Sequence, residues 1–223
     1  MSAHPDRQQC YKYLEEYGTP AHVIGHCKGV AAVAYALAKA LNAAGGTLAL
    51  PMEQIRMKKV YEEGRDGWFA YAQDHEGEAV CDKYRNFDLD VTLAAGLLHD
   101  MARVDENHWD VAADFCRDHG YLAEEPVIRV HMKYEFTNDA YHLTEADLVS
   151  IADRIVLEDR YVGLDERMEY ICQKAEKHGD FKARPIILEK KALAQAVLDE
   201  IEARLGCTID SLMENIDYEN IEQ

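Results

Sequence analysis

Leu89 to Met101 reads LDVTLAAGLLHDM, a run that is apolar on nearly every side and then ends in a histidine and an aspartate. A helix with no polar face to give to water belongs in the middle of a bundle. His99 and Asp100 fall near its C-terminal end. A carboxylate beside an imidazole is costly to bury there unless it is paired or bound to a cation. The same dipeptide also suits a helix-end aspartate standing in water beside a partly buried histidine.

The other periodic segments are helical too. Thr19 as N-cap and Pro20 in the first turn open a helix that repeats Val23, Cys27, Val30, Val33, Leu37 and Leu41 and stops at Gly45-Gly46. Asn107 caps a helix through His108, Val111, Ala112, Phe115 and Cys116 to about His119, where Gly120 supplies the stop. Pro126 opens a short helix carrying Ile128 and His131. Thr144 followed by Asp147 resembles a capping box ahead of LVSIADRIVLE, with Asp153 at its centre. Two more helices follow, around residues 164 to 178 and from about Ile186 to Leu205, the second closed by Gly206. No segment reads as a strand, so the expected class is all-α. Residues 44–88 mix Gly64 and Gly67 with Tyr61, Trp68, Phe69, Tyr71, Tyr84 and Phe87. They read as an inserted helical segment over the bundle, either a satellite core or a cover for a site mouth. The tail from Glu214 onward, rich in acidic residues, reads as solvated or frayed.

The 223 residues suit a single domain with a substantial core. Lys and Arg number 24 against 42 Asp and Glu, a net charge of −18 that repels nucleic-acid backbones and anionic bilayers. A phosphorylated partner would need a local positive centre, from cations or a few Arg and Lys side chains. Cys10, Cys27, Cys81, Cys116, Cys172 and Cys207 form no CxxC pair and read as reduced core thiols. Residues 1–20 lack an apolar leader core and no stretch approaches about 20 apolar residues, so a soluble cytoplasmic protein is expected. Exposed Leu and aromatic positions in the insertion or the last helix leave a homodimer open.

Taken in order, His26, His99-Asp100 and Asp153 form an H…HD…D series whose members all lie on helical stretches. His26 lies between Gly25 and Gly29, which leave space for something bulky, although a lone histidine there is more often structural. Asp153 is set among Ile151, Ala152, Ile155 and Val156, where an ionised group needs a partner; Arg154 or Arg103 would serve. A divalent transition metal accounts for all four residues at once, since mixed imidazole and carboxylate ligands suit Mn, Fe, Co, Ni or Zn.

From about Thr19 to Glu158 the chain resembles the HD-domain superfamily of metal-dependent phosphohydrolases. The resemblance rests on AAGLLHDMAR, then His108, His131 and IADRIV, a pattern similar to small HD proteins with two extra histidines. It implies an all-helical HD bundle with the C-terminal helices, about 164–214, appended. It also implies a first metal on His26, His99, Asp100 and Asp153. A second ion, with Mg a further candidate, would lie on His108 and His131 with Asp100 bridging. Where many members carry Lys, this chain has Arg103, a fork in place of a point donor. His108 alone also suits a helix start, whereas His131 in VIRVHMK lies against an apolar face. His22, one turn before His26, suits either the site or the surface.

These residues lead to hydrolysis of a small phosphate ester or anhydride, a nucleotide above all. Asp100 would orient the attacking water, and Arg103, Lys133 and Arg154 would contact phosphate. The same ligands also suit a di-iron oxygenase of this fold or a non-catalytic nucleotide-binding module.

Overall fold

The computed structural model describes residues 4–47, 85–132, 143–214 and 216–221, and among these the protein is all-α. The helices are α1 (Arg7–Tyr17), α2 (Ala21–Ala43), α3 (Leu89–Leu98), α4 (His108–Asp118), α5 (Glu124–Val130), α6 (Glu145–Asp153), α7 (Leu164–Lys177), α8 (Ala183–Leu205) and α9 (Ile209–Met213). Between α6 and α7 lies a two-residue hairpin, β1 (Val156–Leu157) and β2 (Arg160–Tyr161), with Val156 opposite Tyr161. The sequence shows no strand signal there because two residues per strand carry no period.

The core is built on α2 and α3, which pack on each other more extensively than any other pair, with α6 against the same side of α2. Leu97, Leu98, Leu37, Leu41, Leu148 and Ile151 are fully buried in it. By length and composition α2 is apolar enough to cross a membrane, contrary to the sequence expectation. Its apolar surface is instead spent on α3, α6 and the hairpin. The two central helices touch at Gly96, where a Cβ would stand 2.7 Å from the Cα of Ala31 and 3.1 Å from its N. Those are backbone atoms, so relief requires the helices to separate. Gly96→Ala is therefore expected to destabilise by about 1–3 kcal/mol, despite gaining roughly 1 kcal/mol of helix propensity. A lowered urea midpoint at unchanged slope checks this; a raised midpoint would show that the contact yields.

Several boundaries differ from the sequence reading. Thr19 does not cap α2: Pro20 takes that place, and the Thr19 hydroxyl donates to the Met101 carbonyl at 2.7 Å. This bond ties the start of α2 to the segment after α3. That segment leaves α-helical geometry after Leu98, with Met101 N bonded to Leu98 O and Arg103 N to Asp100 O, three residues back in each case. His99 and Asp100 thus stand in a tightened turn at the helix end. The capping box on α6 is present, with Thr144 N donating to Asp147 Oδ2 at 2.7 Å. Arg129 binds α5 to α4 through Asp110 at 2.9 Å and Asp114 at 2.6 Å, and also holds Glu125 at 2.5 Å.

Most of the inserted segment, with Tyr61, Trp68, Phe69, Tyr71 and Tyr84, lies outside the described residues, as does Lys133. Its two ends meet in an antiparallel bridge between Thr47 and Arg85, and Phe87 is buried in the main core. The tail is docked, not frayed. Ile221 is buried, Tyr218 accepts from Tyr161 N at 3.1 Å, and Arg7 donates to the Glu219 carbonyl at 2.8 Å. Cys10, Cys27, Cys116 and Cys172 are buried free thiols as expected, but Cys207 is exposed. Helix α8 leaves Ile186, Leu188 and Leu193 exposed.

Candidate metal centre

The H…HD…D residues come from different ends of the bundle and converge. His26 sits inside α2, His99 caps the C-terminus of α3, and Asp153 is the last residue of α6. His108 is the first residue of α4, and His131 caps α5. Helix ends suit this work because a side chain there can point past the end of its own helix into the space between neighbours. His99 is wholly buried, and Asp100, His108 and His131 are nearly so. The rings form a chain with centroid separations of 5.5 Å for His26–His99, 5.1 Å for His99–His131 and 5.5 Å for His131–His108.

Backbone carbonyls set the tautomers. Nδ1 of His99 donates to Gly96 O at 2.8 Å, Nδ1 of His131 to Ile128 O at 2.7 Å, and Nδ1 of His26 to Glu158 O at 3.2 Å. A carbonyl oxygen only accepts, so Nδ1 carries the proton in each ring and Nε2 is left with a lone pair unless the ring is charged. In His108, Nε2 faces the donor Nη1 of Arg103 at 2.9 Å and accepts as well.

These acceptors are aimed at carboxylate oxygens. His26 Nε2 stands 3.0 Å from Asp153 Oδ1, and Asp100 Oδ1 stands 3.0 Å from His108 Nε2 and 3.6 Å from His131 Nε2. His99 Nε2, His131 Nε2 and Asp100 Oδ1 are buried without a hydrogen bond. Lone pairs this close to one another need a positive charge among them. A proton is a poor answer at His99, because burial pushes its imidazole down to about 4. Burial alone would raise the Asp100 carboxyl, but the positive charge around it, Arg103 included, outweighs it and holds it well below the usual range. Asp153 is held low against the same burial cost by nearby positive charge that includes Arg167. At neutral pH the cluster therefore presents neutral His99 between ionised carboxylates.

Two sets of donor atoms, His26/His99/Asp100 and Asp100/His108/His131, each lie within 4.8 Å of one another, and they share Asp100. Ligands roughly 2.1 Å from a common ion stand about 3.0 Å apart at a right angle and about 3.4 Å at a tetrahedral one. Asp100 Oδ1 stands close to that spacing from His108 Nε2 and His131 Nε2, at 3.0 and 3.6 Å, and the carbonyl-anchored Nδ1 atoms are the outer support that metal-binding histidines require. These buried His and Asp groups can hold a metal ion.

The cluster opens on a cleft of about 530 Å³ lined by His22, His26, Asp100, Arg103, Glu158, Asp159, Arg167, Tyr170 and Lys174, among others. Arg103 approaches Asp100 Oδ2 with Nε at 3.5 Å. Arg154, expected at the phosphate, is turned to the Ser150 carbonyl at 2.7 Å and is not among the lining residues. The cation at Asp153 is Arg167, with Nε 3.2 Å from its carbonyl and Nη2 3.5 Å from Oδ1. The sequence could not supply this contact, because it joins the start of α7 to the end of α6 across the hairpin. The space beside Gly25 and Gly29 is taken by the hairpin turn. A Cβ on Gly29 would meet the Asp159 carbonyl carbon at 2.9 Å. That approach delivers the Glu158 carbonyl to His26. Glu158 and Asn107 are the non-glycine residues with positive φ among those described, at 56° and 55°, and each adjoins a histidine of the cluster. Strain held at such a place is consistent with a functional constraint.

The fold and site thus define an all-α protein with a buried histidine–aspartate cluster able to take a metal ion. Compared with protein-family models, with curated proteins and with solved structures, the chain matches none of them.

Proposed function

We propose that the chain is a metal-dependent phosphohydrolase of the HD type acting on a nucleotide or another small phosphate ester or anhydride. The observation that carries this reading is the pair of ligand sets fused at Asp100, facing a cleft with Arg103 and Arg167 beside it. His26, His99, Asp100 and Asp153 would hold one divalent cation, and Asp100, His108 and His131 a second. Mn, Fe, Co, Ni or Zn suits the donor set. Such a cation polarises phosphoryl oxygens and acidifies water. Asp100 uses one carboxylate oxygen within the cluster and turns the other, Oδ2, toward Arg103. That second oxygen can accept a hydrogen bond from the attacking water and orient it. Arg103, 40 % exposed at its side chain, offers its remaining N–H groups to the phosphoryl oxygens. Arg167 fixes the Asp153 carboxylate while lining the cleft.

Arg103 and Arg167 in the cleft lining suit an anionic substrate, as the hydrolase reading requires. Protein purified without chelator is expected to carry two ions per chain. After reconstitution with Mn, Co or Ni it should release phosphate from members of a nucleotide and phosphate-ester panel without oxygen. Turnover that requires iron and oxygen would replace this reading with the oxygenase one. Nucleotide binding with no turnover under any metal would leave a sensor module.

A further inference from the structure

Helix α7 sorts its charges by face. Asp165, Glu169 and Glu176 are neutralised by α8, through Lys191 at 2.6 Å and Arg184 at 2.8 and 3.1 Å. On the opposite side of the helix, at spacings of three and four residues, Arg167, Tyr170 and Lys174 line the cleft. The Arg167 guanidinium lies 5.9 Å from the Tyr170 ring centroid and reaches Asp153 Oδ1 with Nη2 at 3.5 Å. The strip therefore begins at the histidine–aspartate cluster and runs away from it. Lys174 closes it and makes no ion pair among the described residues, although the chain has far more carboxylates than cations. Glu158 and Asp159 stand in the same cleft on the hairpin turn. Their carboxylates repel an anion beside them, which leaves Lys174, unpaired among the described residues, as the cleft cation free to meet a second anionic group.

We propose that this strip reads the substrate, and that the substrate carries a second anionic group, a phosphate or carboxylate, about 10 Å from the phosphoryl group at the cluster. The distance is the rise of seven helical residues from Arg167 to Lys174, roughly 10 Å. Tyr170, 40 % exposed, supplies a ring face for the part of the ligand between the two anions. The proposal rests on the phosphohydrolase reading for the position of the reacting group. It adds a length and a second charge that the cluster by itself does not specify.

Binding to Mn-loaded protein, followed by calorimetry, tests this without requiring turnover. Hexanediol bisphosphate, whose phosphates can span the strip, is expected to bind about tenfold more tightly than hexyl phosphate, as suits one added charge-assisted contact. A butanediol analogue should lose most of that advantage. Lys174→Glu should abolish it and Lys174→Arg should keep it. Lys177→Glu, on the same helix but outside the cleft lining, should behave as the parent protein does. Equal affinities for the two hexyl ligands, or an advantage that survives Lys174→Glu, would overturn the proposal. Absence of hydrolysis of every phosphate ester would count against the phosphohydrolase reading alone, because the bisphosphate advantage is measured separately.

Discussion

Asp100→Ala is expected to remove cation binding from both ligand sets at once and to abolish turnover. Each set contains only three grouped donors, and Asp100 is the member they share. Changes in groups that merely support metal ligands weaken affinity by about 10–100-fold, so loss of a bridging ligand should exceed about 100-fold at each position. His131→Ala makes the contrast, since it touches one set and should leave one ion per chain. Asp100→Asn keeps the volume and one neutral oxygen, and separates loss of charge from loss of packing. Metal analysis of purified protein and calorimetric titration with Mn or Zn provide the readout. Circular dichroism checks that the variants remain folded. An Asp100→Ala protein that retains two ions per chain would refute the metal centre and everything argued from it.

Acidification of the chelator-treated protein should cost about 3 kcal/mol between pH 6.5 and 4, through His99. Its imidazole is fully buried and pushed down to about 4 by that burial, against about 6.5 in an unfolded chain. Within that window the unfolded state binds a proton that the folded state refuses, so stability rises with pH and falls as acid is added. Each pH unit of that gap is worth about 1.4 kcal/mol. Asp100 and Asp153 are shifted downward as well. Being held below the usual carboxylate range, they contribute stability that persists above about 3.9 and is lost only as pH falls through their lower folded values. The carboxylate loss therefore begins where the His99 loss ends. Urea midpoints at pH 7, 5.5 and 4.5 measure the slope, and His99→Phe should flatten it. An unchanged slope in that variant would place the acid sensitivity elsewhere.

The helices and their ends were largely legible because hydrophobic period and terminal residues act locally. Gly120 and Gly206 follow the ends of α4 and α8 as the sequence indicates, both with positive φ, and the Thr144–Asp147 box opens α6. The gathering of His26, His99 and Asp100 was expected from the cost of burying ligand-type residues on apolar helices, whereas His108 and His131 were expected beside them through the resemblance, and Asp153 falls outside both donor groups. Gly25 and Gly29 do leave room for something bulky, as the sequence indicates. A missing side chain shows that something comes close, and only the packed chain shows that it is the hairpin turn. Arg154 illustrates the same limit. Its neighbour Asp153 faces the cluster, yet one residue along the helix carries Arg154 about 100° around the axis to the Ser150 carbonyl.

By itself the amino-acid order determined the class of the protein, the helix carrying His99 and Asp100 in its centre, and a donor set suited to a cation. These follow from short-range periodicity and from the cost of burying unpaired polar groups. Tertiary structure decided which atoms face one another: the Nε2 lone pairs turned inward by the carbonyls of Gly96, Ile128 and Glu158, the Arg167 that meets Asp153, and the basic face of α7 along the cleft. Such contacts join residues far apart in the chain, and their geometry is set by how helices cross, which depends on side-chain volumes across the whole core and leaves no local pattern to read.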